Sequence, residues 1–303
     1  MTAGLRAYER PGEQEQTPPA VRAWRTECAG WLALGRAPEA RGIYQVAQRA
    51  GLVIVRRDPR AGQRLPAIIL IGDAAPGEPA KRLATALDML GPTGEPVYVT
   101  LSPDALEGPW EAALASLGFH YDSTQLLMTC PLPRPAPEPN AMQAGEASTC
   151  SGSDAQRAPG RWAAGGLRKA VAEEIQVCTA DDGQDRQAAL DVVGRGFGDP
   201  PALAAFYNPR GVVRLYLARW KGEPAAAAAL WPFAGVAGIY SVTTLPQFRG
   251  QGLAYALVER ILHDAALAGF DLASLRTTHD LESLYARHGF TISGYVRRYR
   301  RPR

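Results

Sequence analysis

Along this chain, short apolar runs rich in β-branched residues alternate with stretches in which apolar side chains recur every three or four positions. From Ala20 to about Ala50, the residues Val21, Trp24, Trp31, Leu32, Leu34, Ile43, Tyr44 and Val46 give helical spacing interrupted near Gly35 and Pro38, which predicts two helices. Residues 51–56 and 65–71 then read as two strands separated by Asp58-Pro and Ala61-Gly. A helix over 79–90, a strand over 96–101, a helix over 108–117 and a strand over 119–130 complete the first half.

The second half opens with a strand over 174–179 and helices over 185–197 and 201–207. A hairpin follows, with arms 211–220 and 225–233 around Lys221-Gly-Glu-Pro224. Its second arm begins with five alanines, which favour helix by intrinsic propensity. The turn and the pairing partner outweigh that preference, so a strand is predicted. Next come a strand over 236–244, a helix from Leu253 ended by Gly269, a strand over 271–277, a helix over 280–288, and one bent strand or two strands over 290–303.

Between the halves the pattern stops. Prolines at 131, 133, 135, 137 and 139 favour an extended path, and a Gly/Ser/Ala-rich stretch with a lone Trp162 follows, so 131–172 reads as a linker. Residues 1–19 are polar and read as a disordered tail. The expected domains are 20–130 and 173–303, in keeping with a length of 303 residues.

A net charge of +3 forces neither a nucleic-acid nor a membrane partner. The basic end, residues 297–303, reads as a strand edge with a solvated tail. There is no secretion signal near the N-terminus and no apolar run long enough to span a membrane. Cys28, Cys130, Cys150 and Cys178 form no C-x-x-C pair and read as reduced thiols, which suits a cytoplasmic protein. The four histidines show no metal-ligand spacing, so no metal is expected.

Candidate chemistry concentrates in Ser241-Val-Thr-Thr-Leu-Pro-Gln-Phe-Arg-Gly-Gln-Gly-Leu-Ala254, a strand, a tight loop and a helix start. The first turn of a helix has unpaired N–H groups and the positive end of the dipole, which suit a phosphate. Gly250 and Gly252 let a ligand approach the backbone, and Arg249 adds a fixed positive charge. The loop does not fit two other phosphate motifs: Tyr255 stands where a dinucleotide fingerprint needs a small residue, and no Gly-Lys-Ser/Thr triplet occurs.

Gln247-Phe-Arg-Gly-Gln-Gly252 instead resembles Q/R-x-x-G-x-G/A, the acyl-CoA pyrophosphate loop of the GNAT superfamily of N-acetyltransferases. Roughly thirty residues on, Leu284-Tyr-Ala-Arg-His-Gly-Phe290 is similar to the L-Y-x-x-x-G-F signature of the same superfamily. The resemblance covers about Glu173 to Arg303. It implies acetyl-CoA as co-substrate, bound by Gln247, Arg249, Gly250, Gln251, Gly252, Leu253 and Ala254. It further implies a bulged, splayed central strand whose backbone pairs with the pantetheine arm at Val242 and Thr244. Thr278 is the equivalent of a common cofactor-contacting asparagine, and Tyr285 that of the residue that protonates the departing thiolate. Asp199 and Tyr207 would lie on the acceptor wall. No general base stands out among Glu223, Asp280, Glu282, His263 and His279.

The first half repeats the element order of the second, and Leu114-Ala-Ser-Leu-Gly-Phe119 echoes the signature with Ala115 in place of the tyrosine. In place of the phosphate loop it has Gly72-Asp-Ala-Ala-Pro-Gly-Glu-Pro-Ala80, whose Asp73 and Glu78 would repel a pyrophosphate. The fold expected is therefore α/β, an α+β mixed sheet built as two GNAT-like domains in tandem with the N-terminal one degenerate, a layout resembling two-domain members of the mycothiol synthase type. The implied function is an acetyl-CoA-dependent N-acetyltransferase acting on a primary amine, small molecule or peptide, by direct attack on the thioester. The alternatives left open are a non-catalytic acyl-CoA-binding regulatory module and an aminoacyl or peptidyl transferase.

Overall fold

The structure is a computed structural model and describes residues 17–49, 51–58, 66–72, 78–92, 94–133 and 174–302. The tail before residue 17, most of the acidic loop (73–77) and most of the linker (134–173), with Cys150 and Trp162, lie outside these residues.

The first half begins with helix α1 (Pro19–Arg36), followed by strands β1 (Tyr44–Arg49), β2 (Leu52–Arg57) and β3 (Ala67–Ile71). Helix α2 (Pro79–Leu90), strand β4 (Val97–Leu101), helix α3 (Trp110–Ser116) and strand β5 (His120–Pro131) complete it. The second half contains β6 (Ile175–Thr179), α4 (Gly183–Phe197), α5 (Pro201–Tyr207), β7 (Arg214–Trp220), β8 (Glu223–Phe233) and β9 (Val236–Thr244). It ends with α6 (Leu253–Leu267), β10 (Leu272–Thr277), α7 (Glu282–Ala286) and β11 (Thr291–Arg301).

Among the described residues, eleven strands form one mixed sheet in the order β1-β2-β3-β4-β11-β5-β10-β9-β8-β7-β6. The last strand of each half crosses into the other. β5 is the antiparallel neighbour of β10, from Leu272↔Pro131 to Thr277↔Leu126, while β11 lies between β5 and β4. The two halves thus share a single hydrogen-bonded sheet at its centre.

The stretch over residues 20–49 forms one α-helix, a single 3-10 turn at Pro38–Ala40 and one strand where two helices were expected. α1 runs to Arg36 and buries Trp24, Trp31 and Leu34. Tyr44 and Val46 belong to β1, which pairs antiparallel with β2 from Tyr44↔Arg57 to Arg49↔Leu52, and Gly51 just before β2 has φ 72°. Two β-branched or aromatic positions spaced by two are the period-2 pattern of a short half-buried strand, too brief to stand apart from helical spacing. The alanine run, by contrast, is a strand. Ala225 to Ala229 are fully buried, because α1 and α4 cover one face of β8 and α6 the other. Small side chains let both layers approach.

α1 belongs to the first half in sequence but covers second-half strands. Gly30 lies against Trp231 of β8, where a Cβ would come within 2.6 Å of the indole. Arg22 forms an ion pair with Asp271 at 2.5 Å. Glu27, 2% exposed, accepts hydrogen bonds from Trp31 Nε1 (3.0 Å) and Tyr240 Oη (2.5 Å) and pairs with Arg276 at 3.1 Å. A buried carboxylate needs such company, since desolvation disfavours an unpaired charge. Cys28 and Cys130 are free, whereas Cys178 on β6 is disulfide-bonded, which corrects the reading of all four cysteines as reduced. Among the described residues, no helix is long and apolar enough to cross a membrane.

Candidate functional site

The site begins where two parallel strands part. β9 and β10 are paired only at Ala273↔Ala237 and Ser274↔Gly238. On its other side, β9 loses register with β8 between Ala227 and Ala229, so Ser241 and Val242 fall outside the ladder. Ser241 takes φ 53°, the left-handed conformation of a bulge residue. The bulge and the splay leave backbone polar groups of β9 without strand partners, as the sequence resemblance implied.

β9 leads into a turn, Pro246–Phe248, and then into the glycine loop. Gly250 and Gly252 take φ 80° and 83°, and a Cβ on Gly250 would meet nothing within 4 Å. Backbone conformation, not space, calls for glycine there. Gly252 is the residue before the first turn of α6, with no side-chain cap on that turn. The leading N–H groups of a 15-residue helix thus have no capping side chain at the loop. Arg249 Nε donates to the Thr244 carbonyl at 3.3 Å, which folds the side chain back over the loop.

A cavity of about 830 Å³ opens at this junction. The loop and helix start, residues 249–254, line it, together with Val242 and Thr244 of β9 and Tyr285 of α7. Two residues singled out from sequence are not in its lining. Gln247 is exposed on the preceding turn, and Thr278 is exposed where β10 ends. Phe197, Phe248, Leu281, Leu284 and Arg287 line the cavity and were not foreseen. Leu281 and Leu284 share the amphipathic spacing of the signature segment with Tyr285, which is the sequence signal for their place in the lining.

Tyr285 lies on a helix of one and a half turns, shorter than the expected span to His288. Its carbonyl accepts from the N–H groups of His288 (2.9 Å) and Phe290 (3.3 Å), closing a turn in which Gly289 has φ 85°. The ring is 6% exposed and meets Phe290 edge-on at 6.1 Å, and burial pushes the hydroxyl up to about 12. His288 is 1% exposed and stacks on Tyr255 at 4.1 Å, with both ring nitrogens unpaired. Burial pushes its pKa down to about 4, so the imidazole is neutral. Of the candidate bases, Asp280 alone lines the cavity. Glu282 is paired with His279 at 3.7 Å, and Glu223 sits exposed at the β7–β8 turn. Among the described residues, no cluster of three or more His, Cys, Asp or Glu side chains is placed to hold a metal ion.

The arrangement combines a helix start without a capping side chain, an open strand edge and a protonated phenol around one cavity. Residues 185–290 match the acetyltransferase (GNAT) family. No curated protein matches the chain. Among solved structures, the chain is similar to a GCN5-related N-acetyltransferase from Kribbella flavida, with 17% identity, a TM-score of 0.59, and coverage of 92% of this chain and 96% of that one. A GCN5-related N-acetyltransferase from Sphaerobacter thermophilus is 19% identical over 93% of this chain and 92% of its own, with a TM-score of 0.51. A tandem GNAT protein from the clavulanic acid biosynthesis pathway is 14% identical over 95% of each chain, with a TM-score of 0.50. These likenesses establish the tandem fold, and the family match falls on the second half.

Proposed function

Because residues 185–290 are an acetyltransferase domain of the GNAT family within a tandem GNAT fold, we propose that the protein is an acetyl-CoA-dependent N-acetyltransferase whose catalytic domain is 173–303. In this reading the domain 20–130 binds no acyl-CoA. The observation that carries it is the convergence on one cavity of the two positive-φ glycines, the start of α6, the splayed edge of β9 and the buried Tyr285.

These residues fit an acyl-CoA. The N–H groups at the start of α6, with Arg249, suit a pyrophosphate. The unpaired edge of β9 at Val242 and Thr244 suits a pantetheine arm, which has amides of its own. Acetyl-CoA would supply the activated acyl group as a thioester. The chain's own tasks are then to hold the thioester against the amine, to polarise its carbonyl with β9 N–H groups near Val242, and to deliver a proton. As the amine nitrogen bonds to the carbonyl carbon and the carbon–sulfur bond breaks, the Tyr285 hydroxyl gives its proton to the sulfur. The nitrogen releases its own proton to water, and the Tyr285 phenolate regains a proton from water before the next turnover.

Calorimetric titration of the full-length protein with acetyl-CoA tests this reading, alongside Gly252→Trp. One site in the wild type, abolished by the bulky residue, is the expected result. Absence of binding, or binding that survives Gly252→Trp, overturns the assignment.

A further inference from the structure

The opening between β9 and β10 begins at a defined rung. The parallel ladder holds at Ala273↔Ala237 and Ser274↔Gly238 and stops there. Carried on by two residues, the next position on the same face, that register would set Arg276 of β10 opposite Tyr240 of β9. The two side chains meet the same carboxylate. Glu27 of α1 accepts from the Tyr240 hydroxyl through Oε2 at 2.5 Å and pairs with Arg276 through Oε1 at 3.1 Å. A side chain from the first half thus spans the rung where backbone pairing has ended.

Both ends of the bridge are held in place. Glu27 is 2% exposed, and its Oε1 also accepts from Trp31 Nε1 at 3.0 Å, one turn further along α1. The Oγ1 of Thr26, fully buried beside it, lies 3.1 Å from the Phe233 carbonyl of β8, which ties this turn of the helix to the sheet. The Tyr240 ring stacks on Trp231 at 4.1 Å and lies over Gly238, where a Cβ would come within 2.7 Å of it. On β10, Arg276 has no other ion pair among the described residues, and its Nε is buried without a partner. A buried guanidinium depends on such an acceptor. Directly after Tyr240 come the bulge residue Ser241 and then Val242 and Thr244, which line the cavity.

We infer that Glu27 is a positioning residue for the acyl-CoA site: its carboxylate fixes the separation of β9 and β10 where their ladder ends, and so presents the β9 edge from Ser241 to Thr244 to the pantetheine arm. Neither Glu27 nor Arg276 lines the cavity, so the effect passes through Tyr240 and the backbone of β9. The degenerate half then serves the site of the other half without contributing to its lining. The inference rests on the acetyltransferase reading for the ligand, but not for the effect on the two strands.

The test compares Glu27→Gln, Tyr240→Phe, the double variant and Arg22→Gln in the full-length protein. Arg22→Gln is the control, because it removes another ion pair of α1, with Asp271 just before β10, away from the splay. In the ligand-free protein, hydrogen exchange read by mass spectrometry should quicken about tenfold over residues 239–244 and 275–277 of Glu27→Gln relative to β7, and should not do so in Arg22→Gln. By calorimetry, Glu27→Gln should weaken acetyl-CoA at least fivefold and Tyr240→Phe at least threefold, while Arg22→Gln stays within twofold of the wild type. The double variant should bind no more weakly than Glu27→Gln alone, because Tyr240 acts through the carboxylate. Exchange that rises evenly over the whole sheet, an equal loss of affinity in Arg22→Gln, or additive losses in the double variant would reduce Glu27 to a stabilising residue and overturn the proposal. If Glu27→Gln does not fold, Tyr240→Phe against Arg22→Gln decides the same question by both readouts. Locally quickened exchange in a protein whose wild type binds no acetyl-CoA would instead count against the acetyltransferase reading alone.

Discussion

Tyr285 keeps its proton throughout the physiological range because burial pushes its hydroxyl up to about 12. A phenol in that state can donate to a leaving thiolate but cannot serve as a base. Tyr285→Phe should therefore lower turnover on an amine by about a hundredfold or more while leaving acetyl-CoA affinity intact. Unchanged turnover would reduce Tyr285 to a packing residue against Phe290. His288, three positions on, gives a second residue-scale prediction, this time of stability. Its folded pKa of about 4 lies below the usual 6.5, so the unfolded chain takes up the proton first. Stability is complete above the unfolded value and falls as pH drops from 6.5 toward 4, by up to about 3 kcal/mol. Equilibrium unfolding of the wild type and His288→Leu between pH 7 and pH 4 checks this, because the variant should lack that part of the slope. Parallel curves would mean that the imidazole is not held neutral.

At the scale of elements, the five alanines of β8 show why local propensity can be overruled. Their sequence favours a helix, yet each is fully buried between two helical layers, a position that a strand with minimal side chains fills and a helix cannot. Enlarging one should strain both layers. Ala227→Leu is expected to cost about 1–3 kcal/mol, read as a fall in the denaturation midpoint with no change in slope. A neutral result would reveal slack between β8 and α4. The loop after β9 was legible for the opposite reason. Its geometry is local, so the positive φ of Gly250 and Gly252 and the place of Arg249 beside them follow from a few residues of sequence. Tyr285 was legible through its signature, and the splay at Gly238 followed from the resemblance. Helix α1 was legible as a helix, but its destination was not. Nothing in the residues around Glu27 states that the carboxylate will meet Tyr240 and Arg276, more than two hundred positions away. The same blindness hid β1, whose two inward residues give too short a pattern to separate period 2 from period 3.6.

At the scale of the whole molecule, the repeated element order correctly indicates a tandem fold, but repetition does not say which strand lies beside which. A sequence split into two self-contained units leaves β5 with the first and β11 with the second. The sheet instead inserts β5 beside β10 and β11 beside β4, because antiparallel ladders form wherever registers and apolar faces agree. The consequence is quantitative. Leu126, Met128 and Leu132 from the end of the first half are buried in the core shared with α6 and β10. Removing three such side chains forfeits roughly 5–9 kcal/mol of burial. That is comparable with the entire stability of a domain, about 5–15 kcal/mol. It also bares one edge of β10, an invitation to aggregation. A fragment of residues 174–303 produced alone is therefore expected to be insoluble or molten. Co-production with residues 1–133 should restore a soluble one-to-one complex that unfolds in a single transition, since the contacts joining the halves are strand ladders and core side chains and need no covalent tether. A solitary 174–303 fragment that is monomeric and unfolds cooperatively would show that β11 can fold back into the place β5 holds. In that case the crossing of strands would be an option of the linked chain and not a requirement of the fold.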